Sequence, residues 1–480
     1  MMSIMTYDIG TSSVKVSIFS NEGILLSSAS NTLHTKVKGR SVTQDPLEWW
    51  SKFLNCAKIC LAEARNNIDD LIIVGTGQME DTILIDKDEN PLGDAILYSD
   101  SNIGSYKLPK ELKNILQKET PNELDDYMPL IKLFFFRTFS PEPLSITKYI
   151  ILGAKDFINF KLTGISCTDP TNATTTGLFN MHSGQWSSTV LKYFNGKLPK
   201  IYYPYEQIGF VKKNILSEIR LKQSVIVLNG IGDVGAVSLG TGTFKVGDSC
   251  LYSGTTGWIS TLSNKIAQNR ELFSLAGIHR GEWIIVGPLL NTGNVYDWAM
   301  ETFLKAKDYE EAEMALTRYK LTSVQVWPYL NGERSPHKNS KIRSIVARVS
   351  QETTREEIFT AYIRSIAFAL RHVLDSMEDI NSLTAIKLTG GMARSQGWCK
   401  LLSNVLCKKV EVLKDEIFVA QKGLYNLYLL NKGTKIPSIK IEKSYDPSNC
   451  GYFEALYEEY KIYANRLLQN QTSVPTYLDQ

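Results

Sequence analysis

Asp8-Ile9-Gly10-Thr11-Ser12-Ser13-Val14-Lys15 stands almost at the start of the chain, and its reading decides the fold. Thr6-Tyr7 leads in as the end of a short strand. Val14, Val16, Ile18 and Phe19 lead out as another, mostly alternating with the period of two that marks a half-buried strand. Between them Gly10 permits a tight turn, and Thr11, Ser12 and Ser13 supply backbone N–H groups and hydroxyls, all of them donors. An acidic residue just ahead of such a turn suits a metal–phosphate pair: the turn takes phosphate oxygens and Asp8 takes the cation. Taken alone, the stretch also reads as a plain N-terminal β-hairpin, because short glycine-containing motifs arise by chance.

The second half of the chain answers it. Cys250-Leu251-Tyr252, then Ser253-Gly254-Thr255-Thr256-Gly257, then Trp258-Ile259-Ser260 again reads strand, Gly/Thr turn, strand. A second donor-rich hairpin at the head of a second domain is an internal repeat. Two such hairpins facing each other across a cleft would grip a polyphosphate from both sides. At 480 residues the chain is too long for one hydrophobic core. The boundary falls near Phe244-Lys245-Val246-Gly247-Asp248, which gives domains of 1–244 and 245–480.

Three further strand ends carry polar residues, the place where open α/β sheets hold ligands. Leu71-Ile72-Ile73-Val74-Gly75 runs into Thr76-Gly77-Gln78-Met79-Glu80-Asp81, and Ser224-Val225-Ile226-Val227-Leu228 breaks into Asn229-Gly230-Ile231-Gly232-Asp233. Ala385-Ile386-Lys387-Leu388 enters Thr389-Gly390-Gly391-Met392-Ala393-Arg394-Ser395, where a double glycine before a helix leaves room for a nucleotide. Each also has a plain reading, a capping Asp or an ordinary strand-to-helix turn. Elsewhere Asp45-Pro46-Leu47-Glu48 opens a helix whose Trp49, Trp50 and Phe53 read as core. Ala95 to Asp100 reads as a strand, Thr353 with Glu356 as a capping box, and Trp327 to Pro336 as a rigid polar loop with no obvious packing role.

Composition bounds the partners. Hydrophobic residues make up 43% and charged residues 21%, which is ordinary globular usage. A formal net charge of +3 without a long basic run argues against nucleic acid. Apolar runs such as Leu133-Phe134-Phe135-Phe136 are too short to span a bilayer, and the opening residues do not form a signal sequence. Seven cysteines without a Cys-x-x-Cys read as reduced thiols of a cytoplasmic protein. Five scattered histidines suggest no zinc cluster, and the polar tail after Gln469 is expected to fray.

With these motifs in this order, the chain resembles the FGGY family of carbohydrate kinases, within the sugar kinase, Hsp70 and actin superfamily. The likeness runs from Asp8 to about Tyr463. Asp8-Ile-Gly-Thr-Ser is similar to the family's first phosphate motif, Ser253-Gly-Thr-Thr-Gly to its second, and Gly390-Gly391-Met-Ala-Arg394-Ser395 to its adenosine motif. Gln44-Asp45-Pro46-x-x-Trp49-Trp50, Gly77-Gln78-Met79, Gly232-Asp233 and Tyr329-Leu-x-Gly332-Glu333-Arg334-x-Pro336 resemble its xylulokinase and gluconokinase side.

The resemblance implies an α/β protein of two ribonuclease-H-like, actin-like ATPase domains around a central cleft, closing on ATP, Mg²⁺ and a small sugar. It implies Asp233 as the general base, with Asp8 and Asp233 on the metal. Gly10, Thr11, Ser12, Lys15, Gly254, Thr255 and Thr256 would hold phosphates, and Gly390, Gly391 and Arg394 the adenosine. Gln78, Met79, Glu80, Asp100 and Asp233 would hold the sugar, most simply a ketopentose such as D-xylulose phosphorylated at a primary hydroxyl. A monomer or homodimer is expected.

The chain also departs from that pattern. Glu80 replaces a usual histidine, Phe135 a tryptophan and Arg364 an acidic residue. Ser344-Ile-Val-Ala-Arg348 lacks the usual glycines, and Ala420-Gln421-Lys422-Gly423-Leu424 replaces Ala-Leu-Gly-Ala-Ala near the adenine. Gluconate, ribulose, glycerol or another polyol, and an autoinducer-2-like sugar are therefore alternative substrates. A nucleotide-dependent binding protein without transfer activity is the alternative of another class.

Overall fold

The computed structural model describes residues 2–65, 68, 70–102, 106–194, 196–305, 308–318, 322–336, 338–339, 341–378, 383–414 and 418–469. The tail expected to fray lies outside them.

Two sheets organise the chain, and they repeat one topology. The first is built from β1 (Met2–Ile9), β2 (Ser13–Ser20), β3 (Leu25–Thr32), β4 (Asp70–Gly77), β5 (Gln207–Phe210) and β6 (Ile226–Leu228), in the order β5-β6-β4-β1-β2-β3. β1 pairs antiparallel with β2 and parallel with β4, and β6 joins β4 in parallel. The second contains β7 (Ser249–Ser253), β8 (Gly257–Ser263), β9 (Phe273–Ala276), β10 (Trp283–Leu289), β11 (Ala385–Thr389), β12 (Lys409–Leu413) and β13 (Ile441–Tyr445), in the order β9-β10-β8-β7-β11-β12-β13. There β7 pairs antiparallel with β8 and parallel with β11, and β12 follows β11 in parallel. The repeat legible in the two hairpins is thus a repeat of whole sheets. β1 is central and covered on both faces, so Ile4, Met5, Thr6 and Tyr7 are all buried rather than alternating.

Helices cover these sheets. The helix Pro46–Glu63 starts as the sequence indicates: Asp45 accepts a hydrogen bond from the Leu47 N–H at 2.8 Å, and Trp49, Phe53, Cys56 and Cys60 are buried. One helix crosses between the halves. Val419–Asn431 lies between β12 and β13 of the second sheet in sequence, yet Leu424, Leu427 and Tyr428 pack with Ile4, Phe19 and Ile72 of the first. It lies directly against the helix Asp233–Gly240, where a Cβ on Gly423 would stand 1.8 Å from the Ala236 carbonyl oxygen and one on Gly240 1.9 Å from that of Val419. Only glycine allows helix backbones so close.

Four local expectations change. Cys407 and Cys450 form a disulfide, so the reading of seven reduced thiols does not hold, while the other five cysteines are buried and outside any disulfide. Cys407 ends the helix Gln396–Leu406 in a left-handed cap and Cys450 opens the helix Cys450–Gln469. Their Cα atoms lie 5.4 Å apart across 43 residues of sequence, a pairing that short cysteine spacings do not reveal. The capping box is one residue later, between Thr354 and Glu357. The strand read over Ala95 to Asp100 is only Ala95–Ile96. The loop around Trp327 does pack: the Trp327 indole N–H donates to the Tyr460 carbonyl at 3.0 Å, and the Tyr329 and Tyr460 hydroxyls bond at 2.8 Å. Among the described residues, no helix is long and apolar enough to cross a membrane.

Candidate active site

Each hairpin tip is built by local bonding. In the first, the Gly10 N–H donates to the Ser13 carbonyl at 3.0 Å, and Asp8 stands directly opposite Lys15 across β1 and β2. In the second, the Gly254 N–H donates to the Thr256 carbonyl at 3.1 Å. The carbonyls of Gly254 and Thr255 are taken up by the N–H groups of Gly293 and Asn294, both at 2.9 Å. Gly390 locks onto this tip. Its φ of 100° excludes most side chains, and a Cβ there would stand 2.5 Å from the Ser253 carbonyl oxygen.

A cleft of about 720 Å³ lies between the sheets. Asp8, Gly10, Thr11 and Lys15 line it from the first hairpin, Thr256 from the second, and Gly390, Gly391 and Arg394 from the end of β11. Gln78, Met79 and Glu80 line it from the end of β4, and Asp233 from the first position of its helix. The structure therefore gathers most of the singled-out residues around one space. Ser12, Gly254, Thr255 and Asp100 are not on its wall. Asp100 is buried instead, and its carboxylate accepts the backbone N–H groups of Val42 at 2.7 Å and Asn102 at 2.9 Å.

Sequence reasoning missed several wall residues. Tyr98, Phe273, Arg334 and Gln421 line the cleft, and of these only Phe273 lay outside the stretches already singled out. It also gave Trp49 to the core alone. The Trp49 indole N–H donates to Gln44 Oε1 at 2.8 Å, and Gln78 Nε2 donates to the same oxygen at 3.0 Å. Gln44 Nε2 donates to the Thr11 carbonyl at 2.7 Å, and the Thr11 hydroxyl donates to Gln78 Oε1 at 3.1 Å. A closed ring of bonds thus fixes the phosphate-type hairpin to the end of β4. The Gln44-Asp45-Pro46-x-x-Trp49 spacing was its only trace in the sequence.

A second network lies behind the cleft floor. Buried Lys155 is paired with Asp156 at 2.6 Å and with Asp169 at 3.2 Å. Asp169 accepts the N–H groups of Thr171 at 3.0 Å and Asn172 at 3.3 Å. Asn172 in turn receives the backbone N–H of Glu80 at 3.1 Å. The short helix Pro170–Ala173, capped by Asp169, is therefore a support for the site.

Burial makes the carboxyls in this cleft hard to ionise. It pushes Asp233 up to about 7, with the nearby charge of Asp8 adding to the effect. Burial raises Asp8 as well, and Lys15 opposes that rise. Glu80 is pushed up to about 8 by burial and by Asp125, against the pull of Lys132 and Arg334. A buried carboxyl that a neighbouring carboxyl raises further, as Asp8 raises Asp233, is relieved by a cation between the two, and hard oxygen donors suit Mg²⁺. No group of three or more His, Cys, Asp or Glu among the described residues could hold a metal alone. The pair therefore fits an ion that completes its shell with phosphate oxygens and water.

Two sheets of this repeated topology, with glycine-rich tips converging on a shared cleft, define the actin-like ATPase class of fold. The chain belongs to the FGGY family of carbohydrate kinases: the family's N-terminal domain matches residues 3–240 and its C-terminal domain residues 235–420. It is similar to the xylulose kinase of Lactococcus lactis subsp. lactis, with 26% identity over 96% of this chain and 97% of that one. Its fold matches a xylulose kinase of Lactobacillus acidophilus at a TM-score of 0.89, with 21% identity and coverage of 98% and 99% of the two chains. A gluconate kinase from the same organism also matches at 0.89, with 22% identity and 98% coverage of both. The chain is a carbohydrate kinase, a phosphotransferase.

Proposed function

We propose that this chain transfers the γ-phosphoryl group of ATP to a primary hydroxyl of a small sugar, a ketopentose such as D-xylulose. The first half, 1–244, binds the sugar and contributes one phosphate hairpin, and the second half, 245–480, binds the nucleotide. The observation that carries the reading is the place of Asp233: half-buried beside Asp8, on the wall that also presents both hairpins and Glu80.

Asp233 takes the proton of the attacking hydroxyl, which requires it within about 2.6–3.2 Å of that oxygen. Thr11, Lys15, Thr256 and the backbone of both tips orient the phosphates, and Gly390, Gly391 and Arg394 hold the adenosine. Gln78, Met79, Glu80 and Tyr98 surround the sugar. Met79 packs with Leu262, Leu275 and Val286 of the second sheet, so the floor beneath the sugar is apolar. Asp8 and Asp233 hold Mg²⁺, which when bound neutralises charge on the phosphates. Positioning and exclusion of water supply the rest of the rate.

The test is ADP formation over a panel of ketoses, aldoses, polyols and aldonates, with product detected by mass. A phosphorylated ketopentose is the expected result. ADP release that ignores every sugar and yields no phosphorylated product would overturn the reading.

A further inference from the structure

A side chamber of about 150 Å³ opens off the sugar end of the cleft, and Glu80, Tyr98, Phe273 and Arg334 line both spaces. Arg334 is the cation at that junction, and it comes from the second half of the chain. Its backbone is fixed. The buried Glu333 carboxylate accepts the Arg334 N–H and the Leu290 N–H, both at 2.8 Å, and the Asn291 side-chain amide at 3.0 Å. That nails the loop to the end of β10. The guanidinium then lies over the Tyr127 ring, 5.4 Å from its centre.

The two other cations on this chamber have partners. Lys338 pairs with Asp125 at 2.9 Å, and Arg270 donates to the carbonyls of Gln117 at 3.2 Å and Thr120 at 3.5 Å. The Arg334 guanidinium makes no hydrogen bond or ion pair among the described residues, so its donors face the chamber unspent. Across from it stands Glu80, held in place through its backbone by Asn172, and no ion pair closes the gap between them. A sugar hydroxyl both donates and accepts, so it can receive a guanidinium N–H and still bond to a carboxyl group.

We propose that Arg334 is a specificity-determining residue, which donates hydrogen bonds to the hydroxyls of the sugar at the end remote from the transferred phosphoryl group, facing Glu80. The inference rests on the proposed sugar kinase reading and deepens it. Neutral vicinal hydroxyls bridge Arg334 and Glu80, so the first and second halves of the chain grip one sugar. The sugar thereby reports closure of the cleft, because Arg334 reaches it only when the halves are together.

The experiment compares wild type, Arg334→Gln and Arg334→Lys on the sugar that gives the highest kcat/KM in the panel. Arg334→Gln is expected to raise the sugar KM by about tenfold or more, the worth of a charge-assisted hydrogen bond, with the ATP KM within about twofold. Arg334→Lys restores part of the loss, which a merely structural role would not show, and the apo melting temperature stays near wild type in both. A sugar KM within about twofold of wild type in Arg334→Gln overturns the inference while leaving the kinase reading intact. So does selective loss of aldonate turnover with neutral sugars unaffected, since Arg334 would then read a carboxylate. If wild type phosphorylates no sugar, the kinase reading fails and the inference falls with it.

Discussion

The backbone N–H of Glu80 donates to Asn172 Oδ1 at 3.1 Å and holds Glu80 at a φ of 63°. Few residues other than glycine adopt that left-handed region without support. Asn172 is fixed in turn, donating to the Leu152 carbonyl at 2.9 Å and to Asp156 at 3.0 Å. Asn172→Ala leaves those buried groups short of partners and should cost about 2–3 kcal/mol of unfolding free energy. The sugar KM should rise more than the ATP KM, because the backbone of Glu80 is released. Urea unfolding and initial rates check both, and an unchanged midpoint would contradict the support role.

Glu80 predicts a pH dependence. Its carboxyl is raised to about 8 in the folded chain, so the folded state holds the proton more tightly than the unfolded one. The stability from that protonation is fully present below about pH 4.5 and is lost as pH rises through about 8. Glu80→Gln should therefore flatten the decline between about pH 4.5 and pH 8 and gain about 1 kcal/mol at the upper end, discounted for its partial exposure. Glutamine keeps one donor and one acceptor, so the sugar KM near neutrality should stay within a few-fold of wild type. Melting curves at both pH values decide it.

Gly423 predicts a steric failure. An alanine Cβ would lie 1.8 Å from the Ala236 carbonyl oxygen, which is backbone and cannot rotate aside. Gly423→Ala must separate the two helices at a cost of about 1–3 kcal/mol. The displaced helix carries Asp233 at its first position, so kcat should fall with stability. A variant with normal kcat would show that the crossing does not position Asp233.

Trp49 predicts a polar effect from a core residue. Trp49→Phe removes the indole donor to Gln44 and should cost about 1 kcal/mol from the hydrogen bond, with a further loss from the smaller ring. Through Gln44 and Gln78 it loosens Thr11, so the ATP KM should increase. An ATP KM equal to that of wild type would make Trp49 a packing residue only.

The fold was legible because its signals are local. A strand ending at Ile9, a turn and a strand beginning at Ser13 are neighbours in sequence, and the second hairpin repeats them. What stayed hidden depends on contacts between distant segments. Asp100 resembled a ligand residue, yet its acceptors are filled by Val42 and Asn102 once the chain folds. Arg334 lay in a loop with a legible sequence, but its aim into the cleft is set by Glu333 bonding to residues 290 and 291. The Cys407–Cys450 pair was hidden for the same reason, since 43 residues separate its members. Sequence periodicity reports which face of an element is buried, not which distant element covers it.

The central claim is that Asp233 deprotonates a sugar hydroxyl for phosphoryl transfer. Its most direct test measures phosphorylated sugar and ADP together for wild type and Asp233→Asn, with nucleotide binding followed by thermal shift. The account predicts sugar phosphate and ADP in equal amounts from wild type. It predicts loss of at least about a hundredfold in kcat from Asp233→Asn, the scale of general-base catalysis, with the ATP-induced thermal shift retained. Normal sugar phosphate formation by Asp233→Asn would contradict it.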